Sequence, residues 1–259
     1  MNQTSDPSDV VDGAAWLQRW DDQQEGYMAN REERFAVILD VVGTVAGGDP
    51  SRILDLGCGP GSLAKRLLDR FPATTVVALD NDPVLMLLGR RAYGDGDSRL
   101  TWVQADLRSP DWPRAVAELG RFDAVVSTTA LHWLERDALR AAYAGAVSVL
   151  EQDGVIVNGD HFFEPEHPRV SALQASLRQV ADDDGDAWSR WWEALESVAG
   201  ADEELAAAFA ERTGRGADHP EARVTPPLQD HVAALGDAGF TDTGTVWQYG
   251  DDRVLVAMR

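Results

Sequence analysis

From Ala14 to about Ala46 the apolar residues Trp16, Leu17, Trp20, Tyr27, Phe35, Ile38, Leu39 and Val42 recur at three- and four-residue steps, which predicts two amphipathic helices. The break Gly47–Pro50 closes them, and Ile53–Gly57 then reads as a short buried strand. A helix at Ser62–Phe71 follows, and the alternation repeats. Strands are expected at Thr75–Leu79, Leu100–Gln104, Phe122–Val126 and Gly154–Asn158, and helices at Pro83–Tyr93, Trp112–Leu119 and Arg136–Leu150. Strands and helices alternating at this spacing imply a largely parallel sheet covered on both faces.

After about Asp160 the rhythm fails. Residues 161–225 hold the acidic run Asp182–Asp186, the cluster Trp188, Trp191 and Trp192, and an Ala/Glu-rich stretch, which reads as a mostly helical insertion. A helix at Leu228–Ala238 and strands near Thr243–Tyr249 and Arg253–Met258 close the chain, the last two as an antiparallel edge hairpin through Gly250–Asp252. The expectation is an α/β fold with a mostly parallel seven-stranded sheet, N-terminal helices, and a helical insertion before the last two strands. Residues 1–13 are a disordered tail on composition, 14–160 and 226–259 form the core, and 161–225 cover the substrate.

The net charge of −21 over 259 residues repels polyanions, and Lys65 is the only lysine, so a nucleic-acid partner is disfavoured. Cys58 is the single cysteine, which excludes an intrachain disulfide and a multi-cysteine zinc site. The polar, acidic start and the lack of a bilayer-length apolar run point to a cytoplasmic protein without a membrane partner.

The strongest chemical signal is Asp55-Leu56-Gly57-Cys58-Gly59-Pro60-Gly61 at the end of the first strand. Glycines here let the backbone approach a ligand and turn sharply into a helix. A dinucleotide fingerprint needs a further glycine where Ser62 stands, so a nicotinamide or flavin fits poorly. Asp55 before the turn suits a ligand bearing an ammonium group. Asp80 ends the second strand, where a carboxylate can accept from both ribose hydroxyls, and Asp106 ends the third, where an adenine amino group could find its acceptor. Asp82 is the better candidate for capping the helix that starts at Pro83.

With these residues in view, the chain resembles class I S-adenosylmethionine-dependent methyltransferases, whose fold is Rossmann-like. The matching stretches are Ile53–Gly61, Val76–Asp82, Gln104–Leu107 and Phe122–Leu134. The resemblance implies S-adenosylmethionine as cofactor, with Gly57, Gly59 and Gly61 along its methionine part, Asp80 on the ribose, Asp106 and Leu107 beside the adenine, and Ser127 at the amino-acid end. Asp55, Cys58 and Asn81 are counted with them as cofactor-contacting. The stretch Ser127–Leu134 is similar to a small-molecule branch that includes trans-aconitate-type and biotin-pathway carboxyl methyltransferases. That branch implies closure over the cofactor by Tyr27 and Arg34, with Arg34 clamping the carboxylate.

The expected function is methyl transfer to an oxygen or nitrogen of a small molecule, with specialised metabolism as its setting. A non-catalytic binding module and a lyase or cyclase reusing the fold are the alternatives. Alignment alone can carry methyl transfer, but His132 and His161, each just beyond the end of a central strand and His161 where the insertion leaves the core, are the candidates for a general base. The ligand-rich stretch Asp160, His161, Glu164, Glu166 and His167 is broken by Pro165 and Pro168 and is read as a turn, with no metal expected. Oligomeric state and acceptor are left open.

Overall fold

A computed structural model of the chain describes residues 11–28, 30–94, 98–177, 187–215 and 225–259. The expected tail, apart from residues 11–13, and the run Asp182–Asp186 lie outside these.

Two helices, α1 (Gly13–Tyr27) and α2 (Arg31–Ala46), precede the core. Then β1 (Arg52–Leu56), α3 (Ser62–Arg70), β2 (Thr75–Asp80), α4 (Pro83–Tyr93), β3 (Leu100–Gln104), β4 (Phe122–Thr128), α5 (Arg136–Val149) and β5 (Leu150–His161) follow in the predicted order. The strands are ordered β3-β2-β1-β4-β5-β7-β6, with β7 (Asp252–Met258) antiparallel to both β5 and β6 (Asp242–Tyr249). The other pairings are parallel, so the sheet is the expected mixed, mostly parallel seven-stranded one. Its two faces each carry an apolar core, one shared with α5 and α9 (Leu228–Asp237), the other with α2 and α3.

Local chemistry explains several boundaries. Asp82 caps α4 by accepting from the Val84 and Leu85 amides, and Pro83 occupies the first turn where its missing N–H costs nothing. Gly47 ends α2 in the left-handed conformation. Most bounds fall within two residues of expectation, and two elements differ more in kind or length. Residues Trp112–Leu119 form a 3-10 helix that buries Trp112 and Val116. Strand β5 is longer than predicted at both ends because it pairs with β4 on one side and with β7 on the other, the latter as far as His161↔Asp252. His161 therefore ends a central strand instead of opening the insertion.

The insertion contains α6 (Pro168–Ser176), α7 (Ala187–Ala199) and α8 (Glu203–Arg215). Its tryptophans build a third apolar cluster with α1 and α4: Trp16 meets Trp191 edge-on at 5.8 Å between centroids, and Trp20 meets Trp188 at 5.3 Å. The Asp202 carboxylate ties the same region together. It accepts from Arg91 Nη1 and Nη2 (2.6 and 3.0 Å), from the Val11 amide (2.9 Å), and from the Leu205 amide at the start of α8 (3.0 Å). At the other end of α4, Arg212 of α8 donates to Asp82 (2.7 Å) while lying over the Trp192 ring.

Candidate functional site

At the carboxyl ends of β1 to β5 lies a cavity of about 530 Å³, within the range of small-molecule sites. The turn Gly57–Pro60, the β2 end Asp80–Asp82, the β3 end Ala105–Arg108, the segment Thr128–Ala130 with His132–Leu134, and His161 form its floor. Trp20, Gln24, Tyr27 and Met28 of the α1 region, Arg31 of α2 and Trp188 of α7 form its far wall.

The floor is backbone held in unusual conformations. Gly57 has φ +70°, and a Cβ there would lie 2.3 Å from the Ala130 Cβ, so only glycine lets β1 and the β4 segment approach this closely. The Gly57 and Cys58 amides donate back to Leu79 O (2.8 and 3.1 Å), and the Gly59 amide donates to Asp80 Oδ2 (2.7 Å). Thr129 has φ +48°, a position a β-branched residue occupies only under constraint.

Charge is concentrated beneath this turn. Burial, with the charge of Asp82 adding to it, pushes the Asp80 carboxyl up to about 6 against the Asp82 and Gly59 amides that stabilise its anion. Asp55 is fully buried behind the turn; burial and the neighbouring Asp80 charge push it up to about 8. Burial and the same two carboxylates drive the Cys58 thiol well above its ordinary value, so it is no nucleophile. Across the cavity, Arg31 pairs with Asp21 (2.8 Å) and is only 4% exposed, yet its Nη1 has no hydrogen-bond partner. Burial lowers its pKa despite Asp21. Asp106 is gripped by Arg108 (Nε at 2.9 Å to each carboxylate oxygen), which outweighs burial and holds it below the usual range.

A second polar centre sits beside the first. His132 Nδ1 lies 2.8 Å from Asp160 Oδ1, and the same oxygen accepts the His161 amide (2.8 Å). Burial alone would raise Asp160, but His132, His161 and Arg34 bring it down to about 2. The His161 ring also lines the cavity, with Nδ1 3.4 Å from Asp251.

Of the residues picked from sequence, Tyr27, Gly57, Cys58, Gly59, Asp80, Asn81, Asp106, Leu107, His132 and His161 line the cavity. Asp55, Gly61, Ser127 and Arg34 do not. Gly61 caps α3 in the left-handed conformation, walled off by Trp102. Ser127 is buried and donates to Leu56 O (2.8 Å), stitching β4 to β1. Arg34 lies one turn too far along α2, fully buried, with Nη1 on Asp252 (2.9 Å) and Nη2 on Met28 Sδ (2.8 Å). The α2 cation that reaches the cavity is Arg31, the first residue of that helix, and the available signal was the helix period that separates it from Arg34. Trp20 and Trp133 were also missed as lining residues, whereas Trp188, one of three insertion tryptophans that the sequence leaves open as core or as a wall for an apolar substrate, lines the cavity. Among the described residues no cluster of three or more His, Cys, Asp or Glu could hold a metal, and no helix is long and apolar enough to cross a membrane.

Residues 53–154, from β1 to the early part of β5, match the model of a methyltransferase domain family. The match takes in the glycine turn and the ends of β2 and β3, and it is a likeness of this stretch, less than half of the chain, to methyltransferase domains. The chain is 29% identical over 176 residues to a trans-aconitate 2-methyltransferase of Azoarcus sp. (strain BH72), covering 65% of each chain. A trans-aconitate 2-methyltransferase of Streptomyces coelicolor is 29% identical over 252 residues, 91% of this chain and 68% of that one. The chain thus spans about two thirds of the length of these curated relatives. The S-adenosylmethionine-bound amino pentose methyltransferase CalS10 from Micromonospora echinaspora shares the fold, with a TM-score of 0.55 at 19% identity, covering 88% of this chain and 90% of that one.

Proposed function

We propose that this chain transfers the methyl group of S-adenosylmethionine to an oxygen or nitrogen of a small-molecule acceptor. The observation that carries this is the buried Arg31 Nη1, without a partner, set across one cavity from a positive-φ glycine turn and the strand-end acids Asp80 and Asp106. That donor set suits an amino-acid carboxylate at one end and a nucleoside at the other. Arg31 would take the carboxylate, Gly57, Cys58 and Gly59 the methionine stem, Asp80 the ribose hydroxyls, and Asp106 with Leu107 the adenine. Bound there, the cofactor supplies a methyl group already activated on a sulfonium. Asp80 provides the negative field that favours this cation, and the apolar wall excludes water from it.

Trans-aconitate, the acceptor named for the curated relatives, is a polycarboxylate. Both described arginines lining the cavity are engaged by acids, Arg31 with Asp21 and Arg108 with Asp106, so the lining favours an acceptor of low negative charge. Titration calorimetry with S-adenosylmethionine and S-adenosylhomocysteine tests the cofactor site: saturable binding that Asp80→Ala weakens at least tenfold is expected. Equal binding by a folded Asp80→Ala variant would overturn this assignment. Formation of S-adenosylhomocysteine with an added acceptor panel then tests transfer.

A further inference from the structure

Resting on the methyl-transfer reading, we propose that His132, backed by Asp160, is the general base for a phenolic hydroxyl on a flat aromatic acceptor. Nδ1 of His132 is taken by the Asp160 carboxylate at 2.8 Å, and the ring lines the cavity, so Nε2 is the nitrogen left for a ligand. A carboxylate accepting from Nδ1–H fixes the tautomer in which Nε2 carries the basic lone pair, and it stabilises the imidazolium that forms. Asp160 is 0% exposed, so this attraction acts in a poorly screened interior. His161, with its Nδ1 3.4 Å from Asp251, has no comparable orienting bond.

The acceptor class follows from the chemistry and the walls. A carboxylate acceptor is already anionic and needs no base, and the buried Asp160 behind His132 opposes a second anion. An aliphatic alcohol is too weak an acid for an imidazole, whereas a phenol, near 10 like the tyrosine side chain, lies within about four units of a typical imidazole. The cavity is walled by Trp20, Tyr27, Trp133 and Trp188, which offer ring faces and edges to a planar molecule. The Tyr27 hydroxyl accepts the Trp188 amide (3.0 Å), so the indole is anchored at the start of α7. In the step, the phenolic O–H bond breaks and its proton passes to His132 Nε2. The oxygen lone pair forms the O–CH3 bond while the S–CH3 bond breaks with its electrons kept on sulfur, giving a methyl ether and S-adenosylhomocysteine. The proton then leaves His132 for solvent.

The titratable and charged groups around the pair are His161 on the strand of Asp160, Arg34 from α2, Asp252 from β7, Tyr143 from α5 and the buried, neutral His231 from α9. The test has two arms, both on the full chain with His132→Gln and Asp160→Asn beside wild type. In the first, 4-nitrophenol is titrated into the protein without cofactor on the acid side of that phenol's own titration, and the visible phenolate absorbance is read. Wild type is expected to ionise the bound phenol, and both variants are expected to bind it largely protonated. In the second, S-adenosylhomocysteine formation is followed with a series of phenols of rising acidity. His132→Gln should lose 10²-fold or more in kcat with unactivated phenols and regain most of that with 4-nitrophenol, with cofactor affinity unchanged. No phenol turned over by a wild type that binds S-adenosylmethionine would overturn the acceptor class. An equal loss across the whole series would overturn the base and leave His132 a packing residue. Failure to bind S-adenosylmethionine at all would instead remove the underlying methyl-transfer reading.

Discussion

Asp202→Ala should unfasten the α7–α8 insertion from the core. The carboxylate is 5% exposed and is held by both terminal nitrogens of Arg91, by the Val11 amide and by the Leu205 amide, so three separate chain segments meet at one side chain. Losing the cap on α8 costs about 1 kcal/mol. Losing the charge-assisted bonds to Arg91 costs a further 1.5–3 kcal/mol or so. Arg91 keeps Glu204 at 2.7 Å, which places the sum near 3 kcal/mol instead of the 3–5 kcal/mol or so expected for a stranded buried charge. For a chain of this size that is a fall in Tm of about 6–12 °C. Calorimetric melts of Asp202→Ala, Arg91→Met and the double variant complete a thermodynamic cycle, with an expected coupling above about 1.5 kcal/mol. A coupling below about 0.5 kcal/mol, the value of a solvated surface pair, would refute the reasoning.

Stability should decline with rising pH on account of Asp55. Its folded pKa, about 8, lies above the ordinary 3.8, so the folded state binds the extra proton and loses its advantage as pH rises between those values. Asp55→Asn should flatten that slope in a series of denaturant titrations from pH 5 to 8, and an unchanged slope would contradict the buried, protonated carboxyl. Affinity for the cationic S-adenosylmethionine, relative to the neutral-sulfur S-adenosylhomocysteine, should rise with pH as Asp80 ionises near 6, which calorimetry at several pH values would detect. Arg31→Leu should weaken cofactor binding at least tenfold in a folded protein. Arg34→Leu should destabilise the fold by about 3–5 kcal/mol, because it strands Asp252, a carboxylate only 5% exposed. If Arg34→Leu instead spared stability and abolished binding, the two roles would have to be exchanged. Gly59→Val should lower cofactor affinity at least tenfold, since Gly59 sits at φ +53° over Asp80.

The α/β alternation was legible because period-two and period-3.6 patterns leave separate marks. The bounds of α4 and β3 agree to the residue, since Asp82-Pro83 and the following apolar run leave little alternative. The glycine turn and Asp80 were legible for a similar reason: glycines at φ above zero and a strand-end acid are local features. What stayed hidden was relational. Whether Arg31 or Arg34 faces the cavity depends on where α2 begins and how it lies on the sheet. That His132 meets Asp160 across 28 residues follows from the pairing of β4 with β5, which no local pattern shows. The tryptophans of α1 and α7 are apolar in either role, and only the packing of those helices shows that Trp20 and Trp188 also border the cavity.

Asp82 gives the sheet-end cavity and the helical insertion a common fate. One carboxylate caps α4, borders the cavity and receives Arg212 from α8. For anyone grafting a foreign insertion onto this core to change its acceptor, position 212 is therefore not interchangeable scenery. A donor segment without a cation there would leave Asp82, 4% exposed, to neutralise itself by taking up a proton, and the cap on α4 would weaken with it. Whatever else changes along α8, this arginine, or a cation in its place, has to be kept for α4 to keep its cap.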